Sequence, residues 1–355
     1  MKSNLLLFAS LPFLCGVFVV SYASFPQDSP WTQGWICIAV ISALLVFYCS
    51  KRQVSWTLPA SLFFFCGVLC AINQKLGCEV HLLTEQRKTT LLFLQTAIND
   101  TPFKNETTTS LLQALLCGDK SLLTTELRQD FSKSGAAHIL ALSGLHLAIL
   151  SGMLKKSLFF LGHSPAAQKI RNAIVVITSG AYTLCCGAGA SLVRAFLFIC
   201  LHCANEVLPH RKTPIGNQLL LASMIQLCLH PDSIKTLSFQ LSYLSCAGIT
   251  FLFPHLDRWL PTEKGAARKV WSSLALSLSC QLFTAPLVYL KFGTLPRFFL
   301  LTNLLALPIC EALMNVSVIA IILNTLGAYP RVLIFLSDTF SETMLGILHI
   351  IATIT

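Results

Sequence analysis

Long apolar runs, broken by short polar and often basic intervals, set the rhythm of this chain. A helix that crosses about 30 Å of hydrocarbon needs about 20 mostly apolar residues. Such runs recur at 5–23, 31–49, 57–73, 137–154, 171–187, 190–207, 215–230, 236–253, 270–290, 298–325 and 332–352. The pattern predicts an all-α polytopic membrane protein with about eleven transmembrane helices. The range is ten to twelve, because 57–73 is short and Pro308 offers a break in 298–325. Three N-terminal helices occupy 1–73, a helical segment 74–136, and a transmembrane core 137–355. Within 74–136 the pattern predicts short amphipathic helices at about 85–99, 107–117 and 124–133, the last with Thr124 as N-cap. Leu127 and Phe131, at i and i+4, give that helix a face to rest on the membrane domain or the interface.

Composition agrees and excludes other classes. The chain is 54% hydrophobic and 11% charged, whereas a soluble domain carries about 25% charged residues. That rules out a soluble enzyme, a disordered chain and a secreted disulfide scaffold. The basic residues orient the helices. With the N-terminus in the cytoplasm, 14 of the 25 Lys and Arg fall at cytoplasmic ends, among them Lys51, Arg52, Lys155, Lys156, Arg211, Lys212, Arg268, Lys269 and Arg331. The 74–136 segment is then external, its seven basic residues balanced by seven acids, and eleven spans leave the C-terminus outside. The net charge of +10 thus reads as an orientation signal. Residues 1–24 imitate a secretory signal with a cleavage site after Ala23, but the long apolar run and the spans that follow favour an uncleaved first helix.

Motifs for common chemistries are missing. Gly118-Asp119-Lys120-Ser121 lacks the spacing of a phosphate loop, and no HExxH, GxSxG or HxHxDH occurs. Cys200, His202 and Cys203 have no second pair to complete a zinc site. No metal or cofactor is expected, and no ATP hydrolysis through a phosphate loop, so that energy comes from a partner or a gradient.

Polar residues inside the spans carry the candidate chemistry, because a charge at mid-bilayer costs about 2.5–3.5 kcal/mol on insertion scales. On a helix through 137–154, His138, Ser143 and His146 fit one arc of about 140°, with Gly144 beside them. Ser191, Arg194, His202 and Glu206 form a polar stripe on the next span but one. Gln240 and Tyr243, then Ser277, Gln281 and Thr284, then Asn303, Glu311 and Asn315, each share a face. For any one of these, helix packing explains the residue as well as function does. Five such faces together predict a hydrated central path.

Several of these residues fall in recognisable segments. Residues 111–121, LLQALLCGDKS, and 135–146, GAAHILALSGLH, are joined by 187–195, GAGASLVRA, 230–248, HPDSIKTLSFQLSYLSCAG, and 278–308, LSCQLFTAPLVYLKFGTLPRFFLLTNLLALP. In this order, over about 110–325, the chain resembles the ComEC family of competence proteins, the presumed inner-membrane channels for DNA. Longer members carry an oligonucleotide/oligosaccharide-binding-like domain where only about 38 residues, 73–110, stand here. Many also carry a metallo-β-lactamase-like domain, whose histidine cluster this sequence lacks.

The resemblance implies a bacterial cytoplasmic-membrane channel, not an enzyme, that passes single-stranded DNA inward during natural transformation. His138, Ser143, Gly144, His146, Ser191, Arg194, Gln240, Tyr243, Gln281, Asn303 and Glu311 are its candidate path residues. It implies an external DNA receptor, a cytoplasmic motor or strand-binding protein, a nuclease on another polypeptide if one takes part, the lipid bilayer, and assembly into a homo-oligomer as partners. Two other readings stand beside it. One is a transporter of a smaller anion or metabolite, or a competence remnant. The other is a membrane hydrolase with Ser143 as nucleophile and His146 as base, which would also need an orienting acid and an oxyanion site.

Overall fold

The structure, a computed structural model, describes residues 13–18, 84–162, 164–207, 214–260 and 265–354. The expected spans 31–49 and 57–73, and the site after Ala23, lie outside them; of 5–23 only the helical stretch 13–18 lies inside.

Among the described residues every regular element is helical. The short helices are α1 (Thr84–Asn99), α2 (Glu106–Leu112), which runs on through a widened π turn at Gln113–Cys117, and α3 (Thr125–Lys133). There follow α4 (Gly144–Ser157), α5 (Pro165–Cys185), α6 (Ala190–Val207) and α7 (Ile215–Leu229). Next come α8 (Leu237–Ala247), a second widened turn at Gly248–Leu252, and α9 (Phe253–Asp257). The last three are α10 (Ala266–Phe292), α11 (Phe299–Thr325) and α12 (Arg331–Ile354). Six stretches are long and apolar enough to cross a membrane: Gly144–Leu161, Ala190–Val207, Leu237–Asp257, Ala266–Phe292, Phe299–Thr325 and Arg331–Ile354. This is a multi-pass membrane protein, and six spans among the described residues do not establish the expected eleven.

Of the expected spans that fall on described residues, 171–187 (in α5) and 215–230 (in α7, 15 residues) are not among these six, and two others differ in detail. Pro308 does not divide 298–325; α11 continues through it for 27 residues. The span expected at 137–154 starts only at Gly144, because Gly135 takes φ +82° and Ser143 is extended (φ −120°, ψ 168°) as the N-cap.

The chain folds as two compact units, one of 1–82 with 208–246 and the other of 83–207 with 247–355. In the first, Tyr243 Oη donates to Gln226 Oε1 at 2.9 Å, tying α8 to α7, and Gln240 Nε2 donates to the Ile234 carbonyl at 2.9 Å. In the second, α11 and α12 pack along each other. Ser317 Oγ donates to Ser337 Oγ at 3.0 Å in their seam, and the small, fully buried Ala320 lies one turn away. Their inner faces share one apolar core with the short helices. Leu111, Leu112, Leu115 and Phe131 are fully buried against it, together with Cys310, Leu313 and Met314 of α11 and Met344 and Leu348 of α12. Phe131 and Leu127 thus rest on the helical bundle as their spacing predicts, with Thr124 Oγ1 accepting from Leu127 N–H at 3.2 Å. The second widened turn brings its backbone onto α10: a Cβ on Gly248 would sit 2.3 Å from the Ser279 carbonyl oxygen.

Candidate functional site

The residues that come together lie at the start of α4. Ser143 caps the helix, its Oγ accepting from Leu145 N–H at 3.3 Å, while its own N–H donates to His146 Nδ1 at 3.1 Å. This is a capping box with histidine where glutamate usually stands. The same Ser143 Oγ lies 3.1 Å from Nδ1. Because Nδ1 accepts, the neutral ring carries its proton on Nε2. That nitrogen is buried and has no hydrogen-bond partner among the described residues, on a side chain only 1% exposed.

Gly144, the first helical residue, lets α6 approach. A Cβ there would fall 2.9 Å from Arg194 Nη2 and 3.1 Å from the Ala195 Cβ. The guanidinium therefore lies across the α4 N-terminus, with the Phe198 ring 6.0 Å from it. Beneath it Leu147, Leu192 and Ala195 form a small buried cluster with Leu142, Tyr182 and Phe196 packed around it. Gly187 (φ +92°) and Ala188 (φ +48°) make the left-handed turn that starts α6 at this level.

The loop after α2 closes the other flank. A Cβ on Gly118 (φ +77°) would strike Leu142 Cδ1 at 2.4 Å, so this turn presses on the residue just before the cap. The π turn frees a carbonyl at Leu116, which accepts from Tyr182 Oη at 2.7 Å and from Cys186 Sγ at 3.6 Å. Asp119 accepts from Ser121 N–H at 2.9 Å and from Gln95 Nε2 at 3.1 Å. The neighbouring Cys117 is buried in the core.

Chemically, the start of α4 gathers donors. A helix N-terminus carries about half a positive charge, and the Arg194 guanidinium stands beside it, whereas the His146 Nε2 is buried. Such a set suits an anion with oxygen acceptors, above all a phosphate. Among the described residues no group of three or more His, Cys, Asp or Glu is placed to hold a metal ion.

The opposite end of the same three helices is stitched. Lys155 Nζ on α4 donates to both Glu206 carboxylate oxygens on α6, at 2.6 and 2.8 Å. Asn172 on α5 donates to Glu206 Oε2 at 3.0 Å, and His202 Nε2 stands 3.2 Å from Oε1. Glu206, expected on one polar stripe with Arg194, thus clasps α4 and α5 to α6, with His202 of its own helix beside it.

The other expected path residues divide. His138 is not on α4 with Ser143 and His146 as the helical arc required; it lies in the preceding turn, exposed, with Nδ1 3.1 Å from the Gly135 carbonyl. Ser191 sits one turn before Arg194, half-buried. Gln240 and Tyr243 make the packing contacts of the first unit described above. Gln281 is half-buried on α10. Asn303 is half-buried on α11 with Oδ1 unpartnered among the described residues. Glu311 is exposed. The roles of Tyr182, Asn172 and Lys155 were not read from the sequence. Their one signal was position: an aromatic hydroxyl, an amide and a cation near the ends of apolar spans.

Comparison with known proteins bears on the same stretch. The family model described as "Competence protein" matches residues 115–355, more than half of the chain. ComE operon protein 3 of Bacillus subtilis (strain 168) is 28% identical over 135 residues, which is 38% of this chain and only 17% of that protein. No solved structure matches.

Proposed function

This chain belongs to the competence protein family, and from that premise we propose that it conducts single-stranded DNA across the bacterial cytoplasmic membrane, with phosphates passing the start of α4. The observation that carries this reading is Arg194 lying over Gly144 at a helix N-terminus whose cap includes the buried His146. Conduction needs donors that meet each phosphate without holding it. A single guanidinium beside neutral donors has that character, with Ser191 and Asn303 as further lining candidates.

An inside-negative potential opposes an entering anion by about 2.3 kcal/mol per charge per 100 mV. Since no nucleotide-binding loop is present in the sequence, the pull comes in this proposal from a cytoplasmic motor or strand-binding protein. An external receptor delivers the strand.

The test is import. The chain is expressed in a competent bacterium that lacks its own channel but keeps its external DNA-binding machinery, and DNase-resistant labelled DNA is counted. Restored import that Arg194→Ala clearly lowers, at equal membrane levels, supports the proposal. An Arg194→Ala variant that imports fully contradicts it.

The 3.1 Å approach of Ser143 Oγ to His146 Nδ1 favours a second reading, a serine hydrolase. In that reading a fluorophosphonate labels Ser143 and Ser143→Ala loses all activity. As an N-cap, Ser143 stays unlabelled and its alanine variant still imports DNA.

A further inference from the structure

We infer that residues 100–134 cross the bilayer as a broken segment beside α11 and α12, and that the first part of this crossing lines a water-filled cleft. The ordered contacts of the segment carry the inference. Asn324 Nδ2, near the end of α11, donates to the Asp100 carbonyl at 3.2 Å. Thr302 Oγ1, near the start of α11, donates to the Ser134 carbonyl at 2.7 Å. A Cβ on Gly135 would sit 2.7 Å from Pro296 Cβ, just before that start. Thr302 and Asn324 lie on one continuous helix, and at 1.5 Å per residue they are about 33 Å apart. That matches the hydrocarbon thickness of about 30 Å.

Contacts along α12 follow in the same order. Lys104 N–H donates to Asp338 Oδ2 at 2.9 Å, Asn105 Nδ2 donates to Glu342 Oε1, and Asp130 Oδ2 stands 2.9 Å from His349 Nδ1. Residues 100–134 therefore progress from the Asn324–Arg331 end of the pair to the Phe299–Ile354 end. Between these contacts the chain is broken into α2, a π turn, the Gly118 turn and α3, with Leu111 to Cys117 buried in the core. Irregular backbone at membrane depth is tolerated where protein or water covers it. The apolar run of the segment is too short for a hydropathy pattern to reveal such a crossing.

Water follows from the charges. Glu342 lies 11 residues into α12, about 16 Å from its start, and is exposed, as are Lys104 and Glu106. Lipid would not solvate three charged groups at or near mid-depth. The face that carries them meets water. The placement of 74–136 as wholly external is revised for 100–134 under this proposal. It depends on α11 and α12 as membrane spans and is independent of the cargo.

Single cysteines at Lys104 and Ser132, both exposed, test it in the full chain, in right-side-out and inverted vesicles. A membrane-impermeant maleimide is applied and the modified peptides are read individually, so that native cysteines do not interfere. Cysteines at Ala328 and Arg297 report the two faces. Position 104 is expected to be modified from the same face as 328, and position 132 from the same face as 297. Glu342→Cys is expected to react at least tenfold faster than Phe335→Cys, whose side chain is 68% exposed on the same helix. Positions 104 and 132 reacting from one face overturn the crossing. A Glu342→Cys no faster than Phe335→Cys overturns the cleft. If either segment variant fails to insert, Glu106→Cys and Lys133→Cys, also exposed, replace them with the same expectations.

Discussion

The two ends of α4 hold the same three helices together by opposite means. At its C-terminal end Lys155, Asn172 and His202 converge on one carboxylate, Glu206, and the charges answer one another. At its N-terminal end Ser143, Gly144, His146 and Arg194 gather donors around a helix terminus that is itself positive. The first arrangement is complete without a ligand. The second leaves a buried imidazole nitrogen with no hydrogen-bond partner among the described residues. In one bundle, then, opposite charges fasten the helices at one end of α4, and at the other end, under the proposed function, Arg194 and the helix terminus meet the cargo.

The sharpest break of that comparison is charge reversal at the donor end. Arg194→Glu is expected to lower DNA import by about 10- to 100-fold, the scale of a lost hydrogen bond to a charged group. Arg194→Lys keeps the charge without the planar fork and should retain part of the import. Labelled-DNA uptake at matched protein levels reads both.

The next largest effect belongs to the fastened end. Glu206→Ala leaves Lys155 and Asn172 without their shared acceptor and should cost about 1–3 kcal/mol of stability, measured as a lower melting temperature in detergent. Import per inserted molecule should be unchanged, and a specific loss there would mean that the clasp also touches the cargo.

Two smaller changes sharpen the picture. Ser143→Ala removes a cap and should cost about 1 kcal/mol, with most import retained. Thr124→Ala on α3, far from the donor end in sequence, should cost about 0.5–1 kcal/mol and leave import unaltered; thermal denaturation and uptake assays check both.

Legibility followed the length of the apolar runs. The span 190–207 coincides with α6, and 215–230, 298–325 and 332–352 agree with α7, α11 and α12 to within two residues at either end, because a long apolar run leaves the backbone no alternative to a helix in hydrocarbon. The start of α4 was misplaced by seven residues: the apolar run through Ile139 to Leu142 continues the helical pattern, while the cap at Ser143 is signalled only by Ser-Gly and by a histidine in the usual place of glutamate. The three short helices were legible from amphipathic spacing and from Thr124. Their burial among α11 and α12 was not, because it depends on contacts hundreds of residues apart in sequence.

The donor end shows the same division. Ser143, Gly144, His146 and Arg194 stood out as polar or small residues in apolar surroundings, and the structure brings them together. His138 lies outside α4, in the turn that follows Gly135. Gln240 and Tyr243 hydrogen-bond inside their own unit, which a helical wheel cannot distinguish from facing a path.

Photocrosslinking of DNA in transit tests the central claim most directly. A benzophenone side chain is placed at Ser191, one turn from Arg194, and for comparison at Ile177, which is 69% exposed on α5. Labelled DNA is then stalled during import. Crosslinks at 191 well above those at 177 are the predicted result. Import that proceeds with no crosslink at 191 would contradict the account, because the strand would then pass elsewhere than the start of α4.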